Sequence, residues 1–267
     1  MKTIEKRFIL LLFVFALTCS CETDNDDLNE HDDEMEDVIK TVYGNGVTDI
    51  DGNKYLTVII GDLEWMAENL RTTTYRNGTP INNLVTNYDW IYDNEGGYVW
   101  YDHDSGWKTQ YGALYNWFAV ANPAGLCPAG WRVPTDDDWT SLTDYLISGY
   151  QQIELSYEAD FLKSCRQEGS PLGGECDTSI HPRWSLPSYA NYYGTDDFGF
   201  SALPAGIRRY GFADFIGLGT DTYWWSSTEA SATRAIPRRM QGISGRLLGA
   251  DERAEKNTGA SVRCIRN

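Results

Sequence analysis

The sequence is poor in positive charge and in long apolar segments, and both shortages limit what the protein does. Its 267 residues include 22 Lys and Arg against 39 Asp and Glu, which gives a net charge of −17. A protein this acidic repels phosphate backbones, so nucleic acid is a poor candidate partner. The longest apolar run, residues 8–17, is about half the length of roughly 20 residues that a membrane-spanning helix needs.

Motifs of the common enzyme and metal-site classes are also missing. The sequence has no GxSxG, no HExxH, no Gly-rich phosphate loop and no CxxC-like pair. Asp49, Asp51 and Asn53 match the opening of a calcium loop, but the twelfth position of that loop is Ile60 instead of Glu. These three residues therefore favour a hairpin turn, and we expect no catalysis, no cofactor and no metal ion.

The first residues of the chain predict an export signal. A basic start and the apolar run are typical of a cleaved signal peptide, here residues 1–20. The Cys that ends such a run resembles the lipidated residue of a bacterial lipoprotein. We assign lipidation to Cys21, which follows the small residue Ser20, in preference to Cys19. The alternative is an ordinary secretory signal with two incidental Cys residues.

A strongly acidic segment, residues 21–39, follows the signal. It contains ten acidic residues and no basic one, so it predicts an extended tether. An acidic run after a lipidated Cys resembles the surface-export signal of Bacteroidota lipoproteins, whereas the alternative is a solvated spacer. The resemblance implies a protein anchored by lipid in the outer membrane and exposed on the cell surface.

Four further Cys residues predict disulfides, because an even number of Cys in an exported chain is typical of a disulfide framework. Three pairings are possible among Cys127, Cys165, Cys176 and Cys264. We favour Cys165–Cys176, which lie close in sequence around a Gly-rich turn. That choice leaves Cys127–Cys264, which would join the middle of the domain to its last strand.

Local patterns predict short strands with a few helices. Residues 40–62 predict strand, turn and strand, and residues 111–120 predict a short helix. The clearest helix begins at Thr135, which suits the N-cap position and has Asp138 as its capping-box partner. The last third of the chain is Gly-rich and strand-like. With no long linker visible, we interpret residues 40–267 as one domain.

Several segments together resemble one family. They are residues 51–53 with 65–70, then 111–139, then 199–212, and finally 224–228 with 261–266. They are similar to the Fibrobacter succinogenes major paralogous domain, which occurs on exported proteins of Bacteroidota and Fibrobacterota. Part of the second segment also resembles sulfatase-modifying enzymes. The resemblance implies an α+β, C-type-lectin-like fold with mixed antiparallel strands, two or three helices and long irregular loops.

The segment 88–110 departs from the family pattern and combines aromatic with acidic side chains. It is too polar to be core throughout, so we expect at least some of its rings to be exposed. Exposed aromatic rings stack on sugars or pack against protein partners. The candidate ligand-binding residues are Trp90, Trp100, Tyr101, Trp107, Asp102, Asp104 and Arg208. We assign Trp224 and Trp225 to the core, because they lie in a strand-like run.

The function expected from these patterns is ligand binding without catalysis. The partner would be a glycan or a surface protein, and the membrane would be contacted through the lipid anchor. A structural subunit of an outer-membrane assembly is the alternative. An enzyme is least favoured, because the chemistry of sulfatase-modifying enzymes needs two reactive Cys near the C-terminus and only Cys264 lies there.

Overall fold

The computed structural model describes residues 41–149, 157–164, 184, 194–249 and 253–267. The predicted signal peptide, the lipidation site at Cys21 and the acidic tether lie outside the described residues. The predicted pair Cys165–Cys176 lies outside them as well.

The described residues form sixteen short strands and four α-helices. In the first half of the chain these are β1 (Val42–Tyr43), β2 (Val47–Thr48), β3 (Lys54–Tyr55), β4 (Thr57–Ile60), β5 (Leu63–Met66), β6 (Asn82–Asn83), α1 (Asn87–Tyr92), β7 (Gly97–Val99), α2 (Lys108–Tyr111), β8 (Leu114–Tyr115), α3 (Trp117–Val120) and β9 (Trp131–Arg132). In the second half they are α4 (Asp136–Gly149), β10 (Ala205–Arg208), β11 (Phe215–Leu218), β12 (Asp221–Glu229), β13 (Arg234–Gln241), β14 (Leu247–Leu248), β15 (Ala254–Glu255) and β16 (Ile265–Arg266). Two 3₁₀ turns, Tyr101–His103 and Ser105–Trp107, precede α2.

The strands form two main sheets and two smaller ones. One main sheet has the order β1-β4-β5-β16-β9, and the other has the order β11-β10-β12-β13-β14 with β15 also paired to β13. The pairs β10–β12 and β6–β7 are parallel, and the other strand pairs are antiparallel. None of these sheets closes into a barrel. The predicted α+β class, with few helices and mixed sheets, is confirmed.

The residues that match the opening of a calcium loop, Asp49, Asp51 and Asn53, form a turn. Strands β2 and β3 pair on either side of it. The Asp49 carboxylate accepts hydrogen bonds from the Asn53 backbone N–H at 2.9 Å, from Asn53 Nδ2 at 2.8 Å and from the Tyr55 hydroxyl at 2.6 Å. Its oxygens therefore stabilise the hairpin, as the sequence predicted.

The last strand of the chain, β16, lies inside the first main sheet between β5 and β9. In β16, Ile265 pairs with Trp65 on one side and with Arg132 on the other. The preceding residue, Cys264, forms the predicted disulfide with Cys127, with an S–S distance of 2.05 Å and a Cα–Cα distance of 6.0 Å. The disulfide therefore links the segment before β9 to the residue that precedes β16, which is the strand that β9 pairs with.

Helix α4 begins with the predicted capping box. The Thr135 hydroxyl accepts a hydrogen bond from the Asp138 N–H at 3.1 Å, and the Asp138 carboxylate accepts one from the Thr135 N–H at 2.7 Å. Arg132 donates two further hydrogen bonds to the same carboxylate, at 2.5 and 2.9 Å. The apolar face of the helix buries Trp139 and Leu146. Local capping and apolar spacing were enough to predict this helix.

Asp138→Asn is expected to lower the free energy of unfolding by about 1 kcal/mol at pH 7. Burial alone would raise the pKa of Asp138, but hydrogen bonds from Arg132 and Thr135 hold that pKa below its usual value. A carboxyl group of this kind stabilises the fold above its unfolded pKa, and the stabilisation disappears as the pH falls through its folded pKa. Urea denaturation should therefore show a smaller difference in the free energy of unfolding between Asp138→Asn and the wild type below about pH 4. An equal difference at both pH values would contradict a role for the charge.

The helix predicted over residues 111–120 is interrupted over half of its length. Helix α2 ends at Tyr111, residues 112–116 include β8 and are not helical, and α3 covers the last four residues. Gly112 has a φ of 73° and passes so close to Leu70 that an added Cβ would lie 2.7 Å from its carbonyl oxygen. Asn116 then caps α3 by accepting a hydrogen bond from the Ala119 N–H. A left-handed glycine and a new N-cap interrupt the helical pattern.

A buried arginine organises the core between the two main sheets. Burial lowers the pKa of Arg263 to about 9, so the side chain remains charged at neutral pH. Its guanidinium carbon lies 4.2 Å from the ring centre of Phe200 and 5.4 Å from that of Trp224. It donates hydrogen bonds to Asn69 Oδ1 at 3.0 Å and to the Ser201 carbonyl at 2.8 Å. Trp224 and the adjacent Trp225 are fully buried, as predicted.

Candidate functional site

Three of the four predicted ligand-binding aromatic residues belong to the core. Trp90, Trp100 and Tyr101 are buried, so these three rings do not offer exposed faces. Trp90 and Tyr101 pack in one cluster with Val99. The polar residues of the segment occupy turns between these rings, which lets the rings point inward. Sequence composition alone could not show this alternation.

The remaining predicted residues of the segment lie nearer to solvent. Trp107 is half-buried and packs against Tyr111, with ring centres 5.4 Å apart. Asp102 and Asp104 are exposed. The Asp104 carboxylate accepts a hydrogen bond from the Gly106 N–H at 2.8 Å, which caps the second 3₁₀ turn. The carboxylate of Asp104 therefore has a local structural role.

Arg208, the last predicted site residue, is fully buried at the end of β10. Its Nε donates to the Ala213 carbonyl at 3.0 Å, and its Nη1 donates to the Leu84 carbonyl at 2.8 Å. The guanidinium carbon lies 4.5 Å from the ring centre of Trp90 and 5.2 Å from that of Phe215. Burial lowers the pKa of Arg208 to about 10, so it is still a cation at neutral pH. It joins segments of the chain and is not exposed to a ligand.

Four exposed aromatic side chains lie on the two segments that Arg208 joins. Tyr88 and Tyr92 on α1 are 71% and 69% exposed, and their ring centres are 4.7 Å apart. Phe212 and Tyr210, in the connection from β10 to β11, are 70% and 47% exposed. Because one guanidinium binds carbonyls of residues 84 and 213, the two segments are neighbours. We call these four residues the aromatic surface.

Both ends of α1 are held by polar contacts. Thr86 caps its start by accepting a hydrogen bond from the Asp89 N–H at 3.0 Å. At its other end, Asn257 Nδ2 donates to the carbonyls of Trp90 at 3.1 Å and Asp93 at 2.7 Å. A helix of six residues is not stable by itself in water, so these tertiary contacts fix the position of its two tyrosines.

Three non-glycine residues of the segment 88–110 and of the β10–β11 connection have a left-handed backbone. Ala213, Asp102 and His103 have φ values of 52°, 50° and 60°, although non-glycine residues rarely adopt this region. The His103 ring packs edge-on against Phe215 with centres 5.0 Å apart. Burial lowers the pKa of His103, and the nearby Arg208 charge lowers it further. Strained backbone of this kind persists only where surrounding contacts hold it in place.

Charged side chains lie beside Phe212 in the aromatic surface. Arg209 stacks on Phe212, with 4.8 Å from the guanidinium carbon to the ring centre, and forms an ion pair with Asp214 at the surface. These side chains offer ring faces and hydrogen-bonding groups. In the described part of the chain, no cluster of three or more His, Cys, Asp or Glu side chains could hold a metal ion. No described helix is long and apolar enough to cross a bilayer.

The fold and the surface together define an α+β domain that presents a fixed aromatic surface on loops and a short helix. The chain matches the Fibrobacter succinogenes major domain over residues 58–266 and therefore belongs to this family. The matched range includes the segment 88–110 and every strand of the two main sheets except β1 and the first residue of β4. Comparisons with curated proteins and with solved structures found no match.

The exposed aromatic side chains are not the ones that the sequence analysis named. Tyr88 and Tyr92 are four residues apart, a spacing that places both on one face of a helix. That signal was present within the predicted segment, but the short α1 was not predicted. Tyr210 and Phe212 follow Arg208 directly, yet nothing in the local sequence shows that their loop lies beside α1.

Proposed function

We propose that this protein is a lipid-anchored surface protein that binds a glycan at the aromatic surface and catalyses no reaction. The observation that supports it most directly is the exposure of Tyr88, Tyr92 and Phe212, each about 70%, on segments held by buried contacts. Burying such rings stabilises a complex, and leaving them in water has no benefit for folding. A ligand is the simplest physical reason for a fixed, exposed aromatic surface.

The chemistry of the surface suits a sugar. Tyrosine rings offer an apolar face for the C–H groups of a sugar and a hydroxyl for its oxygens. Two such rings lie 4.7 Å apart and tilted by 47°, so they offer two ring faces at an angle. The Arg209–Asp214 ion pair adds donors and acceptors beside Phe212. A C-type-lectin-like fold, in which loops carry the binding site, agrees with this proposal.

The proposal also covers how the protein is held at the membrane. Lipidation of Cys21 would hold the domain at the outer membrane, and the acidic residues 22–37 would extend as a tether. Removing residues 1–39 leaves 28 acidic and 19 basic residues, so the domain remains acidic. Repulsion from an anionic surface would keep the domain away from the membrane, where it could reach a ligand.

The double variant Tyr88→Ala/Tyr92→Ala is expected to weaken glycan binding at least tenfold, because it removes both stacking faces. The measurement is a glycan array followed by titration of the purified protein with the polysaccharide that binds. Tyr43→Ala is the matched control, because Tyr43 is 66% exposed on β1 and is not part of the aromatic surface.

Two outcomes would contradict the proposal. One is a double variant that binds the glycan as tightly as the wild type does. The other is a wild-type protein that binds no glycan but is cross-linked on whole cells to a protein through the aromatic surface. Because both tyrosines are exposed, unfolding should not confuse the result, and the free energy of unfolding should stay within about 0.5 kcal/mol of the wild type.

A further inference from the structure

A second surface feature lies on the disulfide side of the domain and shares no residue with the aromatic surface. Two adjoining depressions of about 230 and 270 Å³ both include Arg76, Leu126 and Cys127 in their walls. We call them together the disulfide groove, since Cys127 forms the disulfide with Cys264. Trp131 and Arg132 also line the larger depression.

Arg76 supplies an unpaired positive charge in the middle of this groove. It is exposed, and its guanidinium forms no hydrogen bond or ion pair with any residue in the described ranges. Most other described arginines pair with carboxylates, as Arg132 does with Asp138 at 2.5 Å. In a domain with excess negative charge, an arginine without a carboxylate partner can bind an external anion where a groove holds the ligand beside it.

The position of the Arg76 side chain is set by the groove wall. Its backbone N–H donates to the Gly125 carbonyl at 2.7 Å. The guanidinium then lies against Gly125, where an added Cβ would be 2.7 Å from Nη2. Gly125 has a φ of 82°, so glycine serves both the backbone conformation and the close approach of the arginine.

Two backbone N–H groups of lining residues have no described hydrogen-bond partner. The N–H groups of Leu126 and Cys127 donate no hydrogen bond to any residue that the structure describes. Both residues are buried and line both depressions. Asp49, the carboxylate in the smaller depression, already accepts hydrogen bonds from Asn53 and Tyr55. The larger depression therefore has the more positive surroundings.

We propose that the larger depression of the disulfide groove binds the carboxylate of a sugar acid or a similar small organic acid, with Arg76 as the main anion contact. A planar guanidinium binds a planar carboxylate through two parallel hydrogen bonds. One unpaired cation suits a ligand with a single negative charge better than a phosphate dianion. The Ser227 hydroxyl, which donates to the Pro134 carbonyl, can still accept a hydrogen bond from a ligand hydroxyl.

Calorimetric titration of the purified protein with sodium glucuronate tests this assignment, with glucose, acetate and inorganic phosphate as separate arms. Glucuronate is expected to bind and glucose to bind at least tenfold more weakly. Binding of acetate as well would identify the carboxylate as the recognised group, whereas glucuronate alone would identify a sugar acid. Binding of phosphate alone would overturn the proposal.

Arg76→Gln is expected to weaken glucuronate binding at least tenfold. Arg246→Gln is the matched control, because it removes an exposed arginine outside the groove and should leave affinity unchanged. Gly125→Ala should also weaken binding, since the new methyl group displaces the Arg76 guanidinium. Equal affinity in Arg76→Gln and wild type would overturn the assignment. Tyr88→Ala/Tyr92→Ala should retain glucuronate binding at the groove, which separates this site from the proposed glycan surface.

Discussion

Arg208→Met is expected to lower the free energy of unfolding by about 3 kcal/mol and to abolish ligand binding at the aromatic surface. Methionine keeps the apolar stem against Trp90 but cannot donate hydrogen bonds. The carbonyls of Leu84 and Ala213 would then be left without their charged donor. A charged hydrogen bond to a buried acceptor contributes more than a neutral one, so the loss should be large.

The effect on binding should exceed the effect of stability alone. At a temperature where the variant is still folded, α1 and the loop of Phe212 would no longer be joined by Arg208. Glycan titration and urea denaturation of the same sample separate the two effects. Arg246→Met is the control, because Arg246 is exposed and lies outside the aromatic surface. It should leave stability unchanged.

Two results would contradict this account of Arg208. If Arg208→Met retains full affinity, the aromatic surface does not depend on the arginine for its geometry. If Arg208→Lys restores both stability and binding, a single charge is enough and the fork of the guanidinium is unimportant. We expect lysine to restore little, since it cannot reach both carbonyls while stacking on Trp90 and Phe215.

The parts of the fold that were predicted from sequence depend on short-range chemistry or on a small number of possible partners. The capping box of Thr135 and Asp138 is complete within four residues, and the turn at Asp49 to Asn53 is complete within five. The disulfide Cys127–Cys264 followed from choosing the nearest pair first. Each of these features is decided by a few side chains whose partners are close in sequence or few in number.

The burial of the predicted site residues Trp90 and Arg208 has a long-range cause. Arg208 contacts a carbonyl 124 residues earlier in the chain, and no local pattern indicates that partner. Trp90 is buried because Arg208 and its loop cover it, so its exposure could not be judged from the polar segment around it. Tyr88 and Tyr92 lie on the other face of the same helix turn and remain outside.

The segments that carry the family resemblance meet in the core, which explains why they indicate the fold. Asn69, from the first segment, accepts hydrogen bonds from Trp224 Nε1 at 2.9 Å and Arg263 Nε at 3.0 Å. Arg263 in turn binds carbonyls of Phe200 and Ser201. Residues from four distant segments therefore satisfy one another away from solvent. A ligand site would need such groups to face outward.

Removing the disulfide is the second large expected effect. The bond joins residues 137 positions apart, and closing a loop of that length limits the unfolded chain strongly. In the chain-entropy model, Cys127→Ala/Cys264→Ala should lower the free energy of unfolding by about 5 kcal/mol. Loss of contacts in the core adds little, because alanine fills most of the space of a half-cystine and both sites are buried.

The experiment needs a background in which only this disulfide can form. Cys165→Ala/Cys176→Ala supplies it, and urea denaturation with and without the Cys127–Cys264 pair then measures one bond. When the background protein is denatured in the presence of a reductant, its free energy of unfolding should equal that of the variant without the Cys127–Cys264 pair. Both unfolded chains then lack the disulfide. A loss below about 1 kcal/mol would mean that the unfolded chain already keeps these segments together. The disulfide would then serve mainly to shape the groove beside Arg76, and glucuronate affinity would fall although stability did not.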